Sequence, residues 1–147
     1  MIKSNIVNDY NDKLSFEISS MDSLIKKIFK LEGHKNALVS IILTKRESLS
    51  KLKKTYFNVN QFTDVIAFNL EDSGEDIDGE IYISIDDVIE NSKEFSVSFS
   101  NEFNRVLIHG ALHLLGYNDQ KENEIKIMRG LEEKYLLNSN NNVIFLK

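Results

Sequence analysis

Two of the chain's three histidines, His109 and His113, stand four residues apart in a segment whose Phe99, Phe103, Val106, Leu107, Leu114 and Leu115 repeat at helical spacing. A long helix with that many apolar positions buries most of its circumference, so the other segments must supply layers around it. Gly116 follows the run and provides the left-handed residue with which such a helix ends. A chain of 147 residues removes roughly two thirds of its unfolded surface from water, enough for a core without covalent staples.

The layers are legible in outline. Ser20 precedes Met21, Leu24, Ile25, Ile28, Phe29 and Leu31, a first helix that Gly33 stops. Residues 37–43 (ALVSIIL) read as a buried strand, and Thr44 with Glu47 three residues on forms a capping box that starts a second helix near Lys45. Residues 64–70 (DVIAFNL) and 80–85 (EIYISI) are strand-like, and the acidic, glycine-bearing segment between them closes a hairpin. A further helix covers 86 to about 91, and Ile125, Met128, Leu131, Tyr135 and Leu136 mark the last one. The Asn-rich stretch 138–142 reads as a frayed connection. With no repeat and no proline, the expectation is one α+β domain over 1–147: a small mixed sheet of about four strands packed with about five helices.

Composition narrows the functional classes. The absence of cysteine excludes a disulfide framework, a zinc ribbon, an iron-sulfur cluster and a thiol nucleophile. The first residues lack the apolar core of a signal peptide, and no stretch approaches the roughly 20 apolar residues of a membrane span, so a cytoplasmic protein without a membrane partner is expected. The net charge of -5 argues against generic polyanion binding, but the charges segregate. Acids crowd 71–94, whereas 45–54 carries Lys45, Arg46, Lys51, Lys53 and Lys54 against Glu47 alone.

Residues 109–119 (HGALHLLGYND) concentrate the chemistry. Histidines at i and i+4 project from one helical face about a turn apart, the geometry in which two neutral imidazoles share a divalent ion. Gly116 lets the chain fold back and bring Asp119 to the same ion. Asp119 also has a competing role as N-cap of the last helix, with Glu122 three residues later. Three protein ligands leave a fourth position for a water, as in catalytic zinc sites of the zincin type. The spacing matches the zinc peptidase pattern H-E-x-x-H-x-x-G-x-x-H, except that Gly110 stands where the peptidase has its general base.

The same residues closely resemble the H-G-x-L-H-L-x-G-Y-D-H signature of the YbeY family of bacterial rRNA maturation endoribonucleases. Residues 63–68 (TDVIAF) are similar to the family's T-[DN]-V-L-S-F segment and 79–83 (GEIYI) to its G-D-I-x-I strand, while Met128 and Glu132 fall on its M-x-x-x-E pattern. The resemblance covers about 43–137. It implies one zinc ion held by His109, His113 and Asp119, with zinc-bound water as the nucleophile in single-strand-directed RNA cleavage. The implied role is 16S rRNA 3′-end maturation and quality control, with the 16S precursor and the small ribosomal subunit as partners and no DNA. Asp119 stands where most members have a third histidine, and Asn118 replaces the usual Asp.

Phe57 aligns where many relatives carry an arginine, so phosphate contacts would fall to Lys51, Lys53, Lys54 or Arg105. Tyr56, Phe57, Phe62 and Tyr117 are of a type that stacks on bases, but most read as core. Glu80 and Glu102 are acids of the right type for a general base; each reads more simply as an ion-pair partner, and neither is assigned. Two other classes stay open: a metallopeptidase-like hydrolase, and a non-catalytic ribosome assembly factor whose zinc is structural.

Overall fold

A computed structural model describes residues 1–11, 13–57, 63–70, 76–137 and 139, and the backbone alone of 144–146. Phe62, the 71–75 part of the acidic segment and, apart from Ser139, most of the 138–142 tail lie outside the described residues. In chain order the elements are β1 (Ile2–Asn8), β2 (Leu14–Phe16), α1 (Ile18–Leu31), β3 (Ala37–Thr44), α2 (Arg46–Phe57), β4 (Val65–Asn69), β5 (Ile77–Ser84), α3 (Ile85–Glu94), α4 (Phe99–Leu114), α5 (Glu122–Leu136) and β6 (Ile144–Leu146).

The main sheet has the order β1-β3-β5-β4. β1, β3 and β5 run parallel, and β4 lies antiparallel on β5 at the edge, so the sheet is mixed and β4 and β5 pair as expected of the two arms of a hairpin. Alternation along the strands sets two faces. Val39, Ile41 and Leu43 of β3 and Ile77, Ile81 and Ile83 of β5 join one core with Met21, Ile25, Ile28 and Phe29 of α1 and Phe103, Leu107 and Ala111 of α4. Burying a side chain the size of Phe103 contributes roughly 1.5–3 kcal/mol, so this continuous core holds α4 rigidly beneath the sheet. The helices and the four-stranded mixed sheet match the α+β expectation.

Gly110 lets α4 sit close. A Cβ there would lie 2.6 Å from Ile81 Cγ2 and 3.1 Å from Val65 Cγ2, so only a hydrogen fits between the helix and strands β4 and β5. One residue after His109, the helix has turned from the polar face to the sheet.

Three strands escaped the sequence periodicity. In β1 the inward positions are Ile2, Ser4, Ile6 and Asn8, so the alternation is masked by polar residues. Ser4 is accommodated because its hydroxyl donates to Asp22 Oδ1 of α1 at 2.7 Å. β2 and β6 are three residues each, too short to show a period, and pair only with each other, antiparallel, across most of the chain. The start of α2 also differs from expectation. Its first amide, Arg46 N–H, donates to Asp86 Oδ2 of α3 at 3.0 Å, a carboxylate forty residues away rather than a local capping box. Among the described residues no helix is long and apolar enough to cross a membrane.

Candidate metal centre

One face of α4 presents Glu102, Arg105, His109 and His113 in succession. The helix begins on Ser98, whose hydroxyl oxygen accepts from Asn101 N–H at 3.0 Å, and ends in a Schellman turn around Gly116. Gly116, at φ +98°, donates to His113 O at 3.0 Å, and Tyr117 N–H donates to Leu112 O at 3.0 Å. The reversal returns the chain along the histidine face and delivers Asp119.

Asp119 Oδ2 lies 3.2 Å from His109 Nε2 and 3.5 Å from His113 Nε2, and the two Nε2 atoms are 3.0 Å apart. Ligands about 2.0–2.2 Å from a tetrahedral ion sit roughly 3.3 Å from one another, so this triangle has the size of one metal's coordination face. The competing role of Asp119 is filled by its neighbour: α5 is capped at Lys121, whose N–H donates to Glu124 Oε1 at 2.9 Å.

The opposite edges of both imidazoles are occupied. His113 Nδ1 is 2.9 Å from the carbonyl oxygen of Tyr117, and His109 Nδ1 is 2.8 Å from Glu132 Oε2 of α5. Both partners only accept, so each Nδ1 carries the hydrogen and each Nε2 turns a lone pair inward. In the neutral form of both rings, two lone pairs and a carboxylate oxygen thus converge at about 3 Å, an arrangement that fits a cation. Burial pulls His109 down, but the Glu132 hydrogen bond and the Asp119 and Asp64 carboxylates outweigh it and raise its pKa above the ordinary histidine value. Burial and the adjacent His109 hold His113 below that value. A cation between the rings answers both conflicts, the like pair of imidazoles and the surplus of acids.

Glu132 is the functional residue that sequence reasoning left without a role. Its signal was its place on the buried α5 face formed by Met128, Glu132 and Tyr135, where an acid needs a partner. It orients His109 and meets Arg105 Nη1 at 3.4 Å. Arg105 is also engaged by Glu102, at 2.6 Å from Nη2 and 2.8 Å from Nε, and by Asp64 at 3.7 Å. The guanidinium is thus held by carboxylates and lines a different groove from the triad's, with Phe95 and Val97. Glu102 is 1% exposed and serves that ion pair, as the simpler reading had it. Glu80 is paired in register with Phe68 and is not among the three residues whose ligand atoms converge.

The triad opens into a cleft of about 630 Å³ along edge strand β4, also lined by Lys53, Phe57, Val65, Ala67 and Asn118. Of the four basic residues singled out, Lys53 alone borders this cleft; Lys51 and Lys54 are exposed elsewhere on α2. Tyr117 packs on the core, and its hydroxyl donates to Glu32 at 2.5 Å. Tyr56 and Phe57 do not join the core: they are 66% and 49% exposed, held against Phe68 of β4.

Comparison with known proteins agrees with this architecture. The family model described as Endoribonuclease YbeY matches residues 6–140, from the end of the first strand through α5, further toward the N-terminus than the motifs alone reach. A protein named Endoribonuclease YbeY from Flavobacterium psychrophilum is 35% identical over 130 residues, 86% of this chain and 92% of the relative. One of the same name from Karelsulcia muelleri is 36% identical over 132 residues, 87% of this chain and 92% of its own. The solution structure of TM1509 from Thermotoga maritima superposes with a TM-score of 0.63 at 28% identity, covering 92% of this chain and 87% of that one. With the matched segment spanning most of the sheet, the histidine helix and α5, this chain belongs to the Endoribonuclease YbeY family.

Proposed function

We propose that residues 1–147 form a single metal-dependent endoribonuclease domain, with His109, His113 and Asp119 as the metal ligands and zinc as the ion. The substrate we assign is single-stranded RNA of the 16S precursor, processed near its 3′ end in the cytoplasm in association with the small ribosomal subunit. The observation that carries the reading is the convergence of two imidazole lone pairs and a carboxylate oxygen at the floor of an open cleft.

A divalent ion bound by this triad supplies Lewis-acid polarisation of a phosphoryl oxygen and acidifies a coordinated water. The chain's own residues prepare that chemistry. Glu132 and the Tyr117 carbonyl lock the two rings in the tautomer that points Nε2 into the cleft. Asp119 adds a negative charge, and Lys53 offers the cleft a cation for the RNA backbone. Among the described histidines and acids no fourth joins the triad, which leaves the open position of a catalytic rather than a structural site. A peptidase reading lacks its carboxylate for a structural reason: position 110 faces Ile81 and Val65, so even a glutamate there would point into the sheet.

Cleavage of a single-stranded 16S rRNA 3′-terminal fragment by zinc-loaded protein, beside His113→Ala prepared identically, tests the proposal. Cleavage by the first and none by the second supports it. Equal cleavage by both assigns the activity to a contaminant, and cleavage by neither shifts the weight to an assembly factor. Metal analysis of the purified protein identifies the ion.

A further inference from the structure

Four aromatic rings cluster where α2 ends over β4 and β5. Phe57 stacks on Phe68 with centroids 5.8 Å apart and planes 18° from parallel, Tyr56 meets Phe68 edge-on at 5.4 Å, and Tyr82 supports Phe68 from β5 at 5.9 Å. Phe68 is the half-buried centre of the group, and it takes one face of Phe57. Phe57 is nonetheless half exposed and borders the cleft that holds the metal triad. An apolar ring in that position is only half buried, and its stacking on Phe68 occupies one of its two faces.

We propose that Phe57, fixed by Phe68, is a stacking platform for an unpaired RNA base next to the metal triad. The proposal rests on the nuclease reading and names what the site grips. Lys53 lies one helical turn before Phe57 on the same face of α2 and borders the same cleft, so a ring for a base and a cation for its phosphate are presented together. That pairing is how single strands are held without base-edge readout, because every base has a π-face. A base inside a duplex has both faces covered by its neighbours, so the platform selects unpaired RNA over double-stranded RNA.

The test uses metal-loaded protein and a labelled single-stranded RNA of about 12 nucleotides. Phe57→Ala is expected to weaken binding and raise KM roughly tenfold, with kcat little changed. The loss should be equal at low and high salt, because stacking releases no counterions, whereas losing a phosphate contact flattens the salt dependence. The wild-type chain has no tryptophan, so Phe57→Trp introduces a single indole, and its emission should be quenched when RNA binds with near wild-type affinity. Binding by Phe57→Ala within twofold of wild type, or an indole emission indifferent to RNA, overturns the platform. Cleavage that survives Phe57→Ala with unchanged KM sinks the platform and leaves the nuclease standing. Phe57-dependent binding without cleavage does the reverse, and a wild type that neither binds nor cleaves removes both.

Discussion

The two halves of helix α4 use the same helical spacing to opposite ends. Toward its N-terminus, Glu102 and Arg105 form a pair that Glu132 and Asp64 surround, so the one cation is enclosed by carboxylates of the protein. Toward its C-terminus, neutral His109 and His113 present lone pairs to a carboxylate oxygen, and among the described residues no Lys or Arg pairs with the three. Glu132 belongs to both halves, touching Arg105 with one oxygen and His109 with the other. The contrast teaches how to separate structural from functional polar clusters: a set that closes on itself holds elements together, and a set with converging acceptors is waiting for a ligand.

The largest effect should come from opening the C-terminal half. His113→Ala is expected to lower zinc affinity by more than about a hundredfold, since loss of a mere supporting partner already costs 10–100-fold. The far-UV CD spectrum should stay unchanged, because α4 is packed by Phe103, Leu107 and Leu114 independently of any ion. A collapse of that spectrum would make the site structural and erase the distinction between the two halves. Opening the other half should do the opposite. Arg105→Met strands Glu102, 1% exposed, without its counter-charge and should destabilise the fold by about 3 kcal/mol, seen as a drop of roughly 10 °C in Tm. Zinc affinity, measured by competition with a chelator, should change far less than in His113→Ala.

Glu132→Gln probes the residue shared by both halves. Gln still accepts a hydrogen bond from His109 Nδ1 but loses the charge that makes the imidazole a better ligand, so zinc affinity should fall about tenfold by isothermal titration. Unchanged affinity would confine Glu132 to the structural half.

The fold and the site were readable to the extent that they are local. His109 and His113 stand out because i and i+4 lie on one face of any helix, and Asp119 follows because Gly116 forces a reversal of fixed length. The helices α1, α4 and α5 and the strand β3 announce themselves by runs of apolar residues at one period. What escaped depends on partners distant in the chain. Ser4 and Asn8 hide β1 because the polar side chain of Ser4 is satisfied by α1, and Arg46 N–H is capped from α3. The role of Glu132 arises only once α5 lies on α4. Arg105 looked like a free cation for the same reason: its pairing with Glu102 is local, but Glu132 and Asp64 arrive from other elements. Of Tyr56, Phe57, Phe62 and Tyr117, most were expected inside because aromatic residues usually are; Tyr117 packs on the core, whereas Tyr56 and Phe57 lie exposed against Phe68.

The smallest effect asks whether the closed half is in fact complete. Three carboxylates surround Arg105, and Asp64, at 3.7 Å, is the most distant. Burial raises the pKa of Asp64, and the attraction of Arg105 and His109 does not offset it. A carboxyl whose folded pKa lies above the ordinary aspartate value of 3.8 contributes stability fully below that value and loses the contribution as pH rises through the folded pKa. At neutral pH its charge is therefore a net cost, carried because Glu102 and Glu132 already satisfy the guanidinium. Asp64→Asn should stabilise the protein slightly at pH 7, by about 0.5 kcal/mol, and the gain should shrink to nothing as the wild-type carboxyl protonates on approach to pH 4. Urea denaturation midpoints measured across that range decide the matter. Destabilisation at pH 7 that fades toward pH 4 would make Asp64 a working partner of Arg105, and the N-terminal half would then need all three acids to close.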